Sequence, residues 1–181
     1  MCMSSLQNYL EANGILLCNQ NPDIPALEDA GCTWQDVTEL IDQHKLFYSK
    51  VFRKRTTYLS PEAYYLLKAV RPPKPLTPPA DRIFSLLGNG SIAEAAFLKQ
   101  VCDLSPREYQ NGFDFLLQNL YITAMANGTV LNESWSTFQY GTAQAWEELS
   151  PSPPQCGDPK VRLWELLRPT VPERCFRSLI R

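Results

Sequence analysis

Apolar residues recur at helical spacing three times between residues 80 and 120, and each recurrence carries its own start signal. Thr77-Pro78-Pro79 opens the first, over 80–87, with Ile83, Leu86 and Leu87 on one face until Gly88 and Gly90 end it. Ser91 and Glu94 have capping-box spacing, in which the serine oxygen takes a first-turn amide and the glutamate reaches back. They predict a second helix over 92–102 that buries Ala95, Leu98, Val101 and Cys102. Ser105-Pro106-Arg107-Glu108 repeats the signal, with proline where its missing N–H costs nothing. A third helix follows over 106–119, its buried stripe of Tyr109, Phe113, Leu116 and Leu117 running on to Leu120. The period then shortens to two in "LYITAMA", and Asn127-Gly128 predicts a hairpin turn before "TVL" returns.

Three short helices leading into a hairpin is the order of a winged helix-turn-helix, and "SWSTFQYGT" at 134–142 is available as a further strand. Outside this core the pattern is shorter. Leu6, Tyr9 and Leu10 suit a helix ended by Gly14, and "ILLC" at 15–18 suits a buried strand. Thr33 caps a helix bearing Trp34, Val37, Leu40 and Ile41; Ser60-Pro61-Glu62 starts another with Tyr64, Leu67 and Val70. The tail carries Val161, Trp164 and Leu167, then a helix opened by Thr170 with Cys175, Phe176, Leu179 and Ile180. Proline-rich breaks at 71–79 and 150–160 divide the chain. The expected organisation is an N-terminal helical and strand segment over 1–76, a winged helix over 77–148, and a proline-rich linker with a docking tail over 149–181. The expected class is mainly α (α+β).

Charge is unevenly spread. Residues 1–80 are neutral, 81–148 carry a net of -5 and 149–181 a net of +3, which sum to the formal net charge of -2. Eight of the 17 cations lie between His44 and Lys74 against a single acid, Glu62. Lys50, Arg53, Lys54, Arg55, Lys68, Arg71 and Lys74 are therefore candidates for phosphate contact, with Tyr48, Phe52 and Tyr58 as candidate stacking platforms. The competing reading is a solvated basic surface that pairs with the acidic winged helix inside the same fold. Along the third helix Arg107, Gln110 and Asn111 are candidates for base-edge contact, yet the wing from Tyr121 to Asn132 has no Lys or Arg.

Catalytic chemistry is sparse. His44 is the sole histidine, so multi-histidine metal sites are excluded. The six cysteines, at 2, 18, 32, 102, 156 and 175, contain no C-x-x-C pair and read as reduced thiols. "GNGSIA" at 88–93 fits a dinucleotide pattern only formally, because it follows an amphipathic helix rather than a strand. Glu147 and Glu148 point in different directions on a helix and read as a solvated face. No catalytic residue, metal or cofactor is predicted. No run approaches a membrane span and the N-terminus has no leader pattern, so the expected location is the cytoplasm.

The stretches "RTTYLSPEAYYLLKAVRP", "LLQNLYITAMANG" and "LNESWSTFQYGTAQAWE" resemble bacterial proteins related to the AlkZ-type DNA glycosylases, over residues 45–148. The enzymes of that family are larger, stack several winged helices, and position the attacking water with a Gln-x-Gln or Gln-x-Asp motif. Here Gln20, Gln35, Gln43 and Gln144 all lack such a partner two residues on. The resemblance thus implies a winged-helix fold and a link to double-stranded DNA, with no catalytic residue carried over. The expected function is a non-enzymatic, DNA-associated or repair-related accessory factor. A protein-interaction module that binds no nucleic acid is the alternative, and a divergent glycosylase the second.

Overall fold

The computed structural model describes residues 5–132 and 135–181, an α+β fold in which helices flank two three-stranded antiparallel sheets. The first half runs α1 (Ser5–Asn13), β1 (Ile15–Leu17), α2 (Trp34–Asp42), β2 (Phe47–Phe52), β3 (Arg55–Leu59) and α3 (Pro61–Val70). The second runs α4 (Pro78–Leu86), β4 (Ala93–Glu94), α5 (Ala95–Val101), α6 (Pro106–Gln118), β5 (Ile122–Asn132), β6 (Trp135–Thr142) and α7 (Ala143–Leu149). The tail adds α8 (Pro159–Leu167) and α9 (Glu173–Leu179).

The two halves repeat one topology. In space the strands lie in the order β1-β3-β2 and β4-β6-β5, so each sheet places its third strand between its first and second. Each has a helix before the hairpin and another after it. The sequence alone did not disclose this repeat, because β1 and β4 are only three and two residues long.

The halves are also interlocked. The helix preceding each hairpin packs on the other half's hairpin, α2 against β5 and α6 against β2. Between them, Thr123 of β5 reaches the outer edge of β2. Its Oγ1 accepts from Tyr48 N–H at 2.8 Å and donates to the Tyr48 carbonyl at 2.9 Å, so one hydroxyl replaces a neighbouring strand. Sheet edges with free N–H and C=O groups need such cover.

The first sheet is buried on both faces. Leu16, Tyr48 and Tyr58 face a core shared with α1, α2, α6 and the second sheet; Ile15, Phe47, Phe52 and Leu59 face a second core built from α3, α7, α8 and α9. Strand β2 is accordingly buried along almost its whole length, with Lys50 alone half-buried, rather than alternating between buried and exposed positions. In the second core Phe47 stacks on Tyr64 at 3.9 Å, and Trp146, fully buried, meets both rings edge-on at 5.0 and 5.1 Å. The tail docks here, with Leu166 and Leu167 against Gly14.

The predicted caps at Thr33, Ser60, Thr77 and Ser105 all accept their first-turn amides. Four expectations are corrected. Asn127-Gly128 is not a turn: the chain stays extended through it, Asn127 opposite Phe138, and has reversed only by Trp135. Asp42 of α2 holds the Asn127 N–H and side-chain amide at 2.9 and 2.6 Å, and a side chain at Gly128 would lie 2.5 Å from Thr137 Oγ1. Here glycine makes room rather than a turn. Nor does Ser91 cap a helix with Glu94. The Glu94 carboxylate instead accepts from Thr129 N–H and Oγ1 at 3.0 and 2.7 Å and from Thr137 Oγ1 at 2.8 Å, so α5 starts only at Ala95. Val101, expected in the core, is 42% exposed. In the tail, α9 begins at Glu173 rather than at Thr170.

Candidate nucleic-acid interface

The basic stretch folds into three places. Arg53 and Lys54 form the two-residue connection between β2 and β3, both with positive φ (48° and 61°), the geometry a tight hairpin needs. Arg53 pairs with Asp23 at 2.5 Å, and the same carboxylate takes Arg174 of α9 at 3.1 Å. Lys54 and Arg55 remain exposed. The proposed platforms Tyr48, Phe52 and Tyr58 are core residues, 9%, 0% and 0% exposed, so none can meet a base. Burial holds the Tyr58 hydroxyl far above its usual titration range.

Two cations bridge to the acidic half. Lys50 Nζ meets Asp114 of α6 at 2.6 Å, and Lys68 Nζ meets Glu147 of α7 at 2.5 Å, beside the Tyr64 hydroxyl that donates to the same oxygen. These pairs account for part of the charge split within the fold. On α6, Arg107, Gln110 and Asn111 are exposed, while the next outward position, Asp114, is engaged by Lys50.

Arg71 and Lys74 converge with Lys68. Lys68, Arg71 and Lys74 line a cleft of about 370 Å³ between the halves, with Pro72 and Pro73, Phe84 of α4, Asn119, Leu120 and Tyr121 after α6, and Ala143 and Gln144 of α7. Arg71 caps α3, its N–H donating to the Leu67 carbonyl, and the prolines after it hold the backbone extended. Its guanidinium donates to the Gln118 carbonyl at 2.8 Å, at the C-terminus of α6 where unpaired carbonyls carry partial negative charge. No carboxylate among the described residues pairs with it. Burial lowers its pKa from the ordinary arginine value, the expected sign for a cation removed from water without a counter-charge. The Tyr121 hydroxyl donates to the Lys74 carbonyl at 2.5 Å, fixing the wall, and its ring lies 5.6 Å from Phe84 in edge-on contact.

Phe84, Tyr121 and Gln144 did not stand out in the sequence. Phe84 and Tyr121 are ordinary members of apolar patterns, and "RPPKPLTPP" reads as a linker although it forms one wall. Among the described residues no cluster of His, Cys, Asp or Glu could hold a metal, and no helix is long and apolar enough to cross a membrane. The chain matches no known family model, no curated protein and no solved structure.

Proposed function

We propose that this is a non-enzymatic protein built from two winged-helix modules, which associates with nucleic acid through the cleft at residues 68–74. The observation that carries the reading is Arg71, a half-buried guanidinium with no acid partner among the described residues, facing an open cleft beside Lys74. A partly desolvated cation gains most from a ligand that supplies negative charge, and a phosphate accepts its planar fork bidentately. Reading a major groove with the helix before the hairpin fits less well, since α2 and α6 each pack on the other half's strand. The mode supported is backbone contact, which positions a protein without reading sequence. The resemblance in residues 45–148 to AlkZ-type glycosylases agrees with a DNA or repair association, and the missing glutamine motif argues against base excision.

A salt series with a fluorescently labelled duplex tests this reading. The logarithm of affinity falls with the logarithm of salt by about 0.9 per neutralised phosphate, and Lys74→Ala flattens that slope by about one unit. Unchanged binding in both Lys74→Ala and Arg71→Ala would sink the proposal.

The alternative, a protein-contact module, is favoured by one feature. The β5–β6 hairpin exposes Val130, Leu131 and Trp135 (73%, 65% and 52%), and Phe97 on the neighbouring α5 is 57% exposed. Apolar residues grouped in this way commonly mark association surfaces.

A further inference from the structure

We infer that the cleft is a seat for a single nucleotide unit, its phosphate on Arg71 and Lys74 and its base against Tyr121 and Phe84. The inference rests on the nucleic-acid reading above and adds the form of the ligand. Three features of the site favour a nucleotide over a bare anion. The cleft volume of about 370 Å³ lies within the range of small-ligand sites and far exceeds what one phosphate fills. Its lining combines two cations, on the segment after α3, with two half-buried aromatic rings, Phe84 of α4 and Tyr121 after α6. Those rings are held in place: Tyr121 is tethered through its hydroxyl to Lys74, and its ring lies 21° from coplanar with Phe115, with centroids 6.3 Å apart. A fixed aromatic ring loses little freedom on stacking with a base, and every base presents a π-face.

Charge narrows the ligand further. Lys68 at the rim is already neutralised by Glu147, which leaves Arg71 and Lys74 as the cations without an acid partner among the described residues of the cleft. Two positive charges match one terminal phosphate monoester. Arg71 spends one N–H on Gln118 and has four more donors to offer. The nucleotide comes either from an unpaired strand end or from the free pool, and the chemistry recognised is the same.

Isothermal titration of the full chain with adenosine monophosphate, adenosine and inorganic phosphate tests the seat, alongside a duplex with a 5′-phosphorylated single-stranded overhang and its blunt counterpart. The expected result is adenosine monophosphate binding about tenfold or more tighter than adenosine or phosphate alone, because stacking and charge each contribute on that order. Lys74→Glu, a change at an exposed position, weakens that binding about tenfold without moving the melting temperature. A strand-end ligand adds a preference for the overhang that Lys74→Glu removes, whereas a free nucleotide gives no such preference. Equal binding of phosphate and adenosine monophosphate would overturn the seat, as would wild-type affinity in both Lys74→Glu and Arg71→Gln. Salt-sensitive, Arg71-dependent duplex binding with neither adenosine monophosphate binding nor an overhang preference would remove the seat and leave the association with nucleic acid standing.

Discussion

Replacing Thr123 by valine keeps the shape of the side chain and removes the hydroxyl that joins the two halves. Thr123 is fully buried, and its Oγ1 serves both the N–H and the carbonyl of Tyr48, itself 9% exposed. In the valine variant both backbone groups lose their partner at the edge of β2, away from water. Each orphaned group costs about 1–3 kcal/mol, so the pair costs about 2–6 kcal/mol. That is a large share of the about 5–15 kcal/mol that holds a typical domain together. Thr123→Ser separates this effect from packing: it keeps the hydroxyl and removes one methyl group, worth about 0.8–1.5 kcal/mol with the cavity included. Urea unfolding of the three proteins reads the difference as a change of midpoint at constant m-value. Valine is expected to fall below serine by at least about 1 kcal/mol, the reverse of the order that hydrophobicity predicts. A valine variant as stable as the serine variant would refute the account, and with it the claim that this hydroxyl stands in for a strand.

Gly14→Ala should destabilise by about 2 kcal/mol or more in the same assay, since φ is +75° and the added carbon would lie 2.8–2.9 Å from Leu167 and Leu166; a neutral change would show that α8 can shift. Hydrogen bonds from Thr129, and then Thr137, hold the Glu94 carboxyl below its usual range, so the folded state favours its ionised form. That stabilisation is present above the unfolded value of about 4.3 and is lost as pH falls through the lower folded value. The stability gap between wild type and Glu94→Gln should therefore close in acid, and a gap independent of pH would contradict it. Arg53, Lys54 and Arg55 changed together to alanine should leave the salt slope for duplex binding nearly unaltered compared with Lys74→Ala, because they sit on the β2–β3 hairpin and Arg53 is already paired. Finally, the purified protein should release no alkylated base from DNA, and turnover above a buffer control would restore the glycosylase alternative.

Helices with strong caps were legible. The signals at Thr33, Ser60, Thr77 and Ser105 are local chemistry, complete within four residues, and all four form. What failed was chemistry that depends on distant partners. Asn127-Gly128 has the composition of a turn, but Asp42, 85 positions earlier, and the Glu94–Thr137 contact keep it extended. Ser91 and Glu94 have the spacing of a capping box, but two threonines in the following hairpin take the carboxylate. The hairpin connection at Arg53-Lys54 lacks the Gly or Asn that normally marks positive φ, so the β2–β3 hairpin gave no turn signal. The cleft divides in the same way. Its cations were candidates from charge alone, whereas its aromatic wall comes from elements whose meeting depends on how the halves interlock.

The docking of α8 and α9 has a consequence for synthesis. The second face of the first sheet is covered by Leu163, Leu166, Leu167, Cys175, Phe176 and Leu179, and α8 begins 89 positions after the end of α3. At translation rates of about 5–20 residues per second, the β1–β3 sheet waits roughly 5–20 s for its cover. During that interval Phe47, Phe52 and Tyr64 lack much of their final packing, which leaves a nascent chain open to wrong association and to chaperone capture. The first half of this protein therefore completes its core only after the second half has been made.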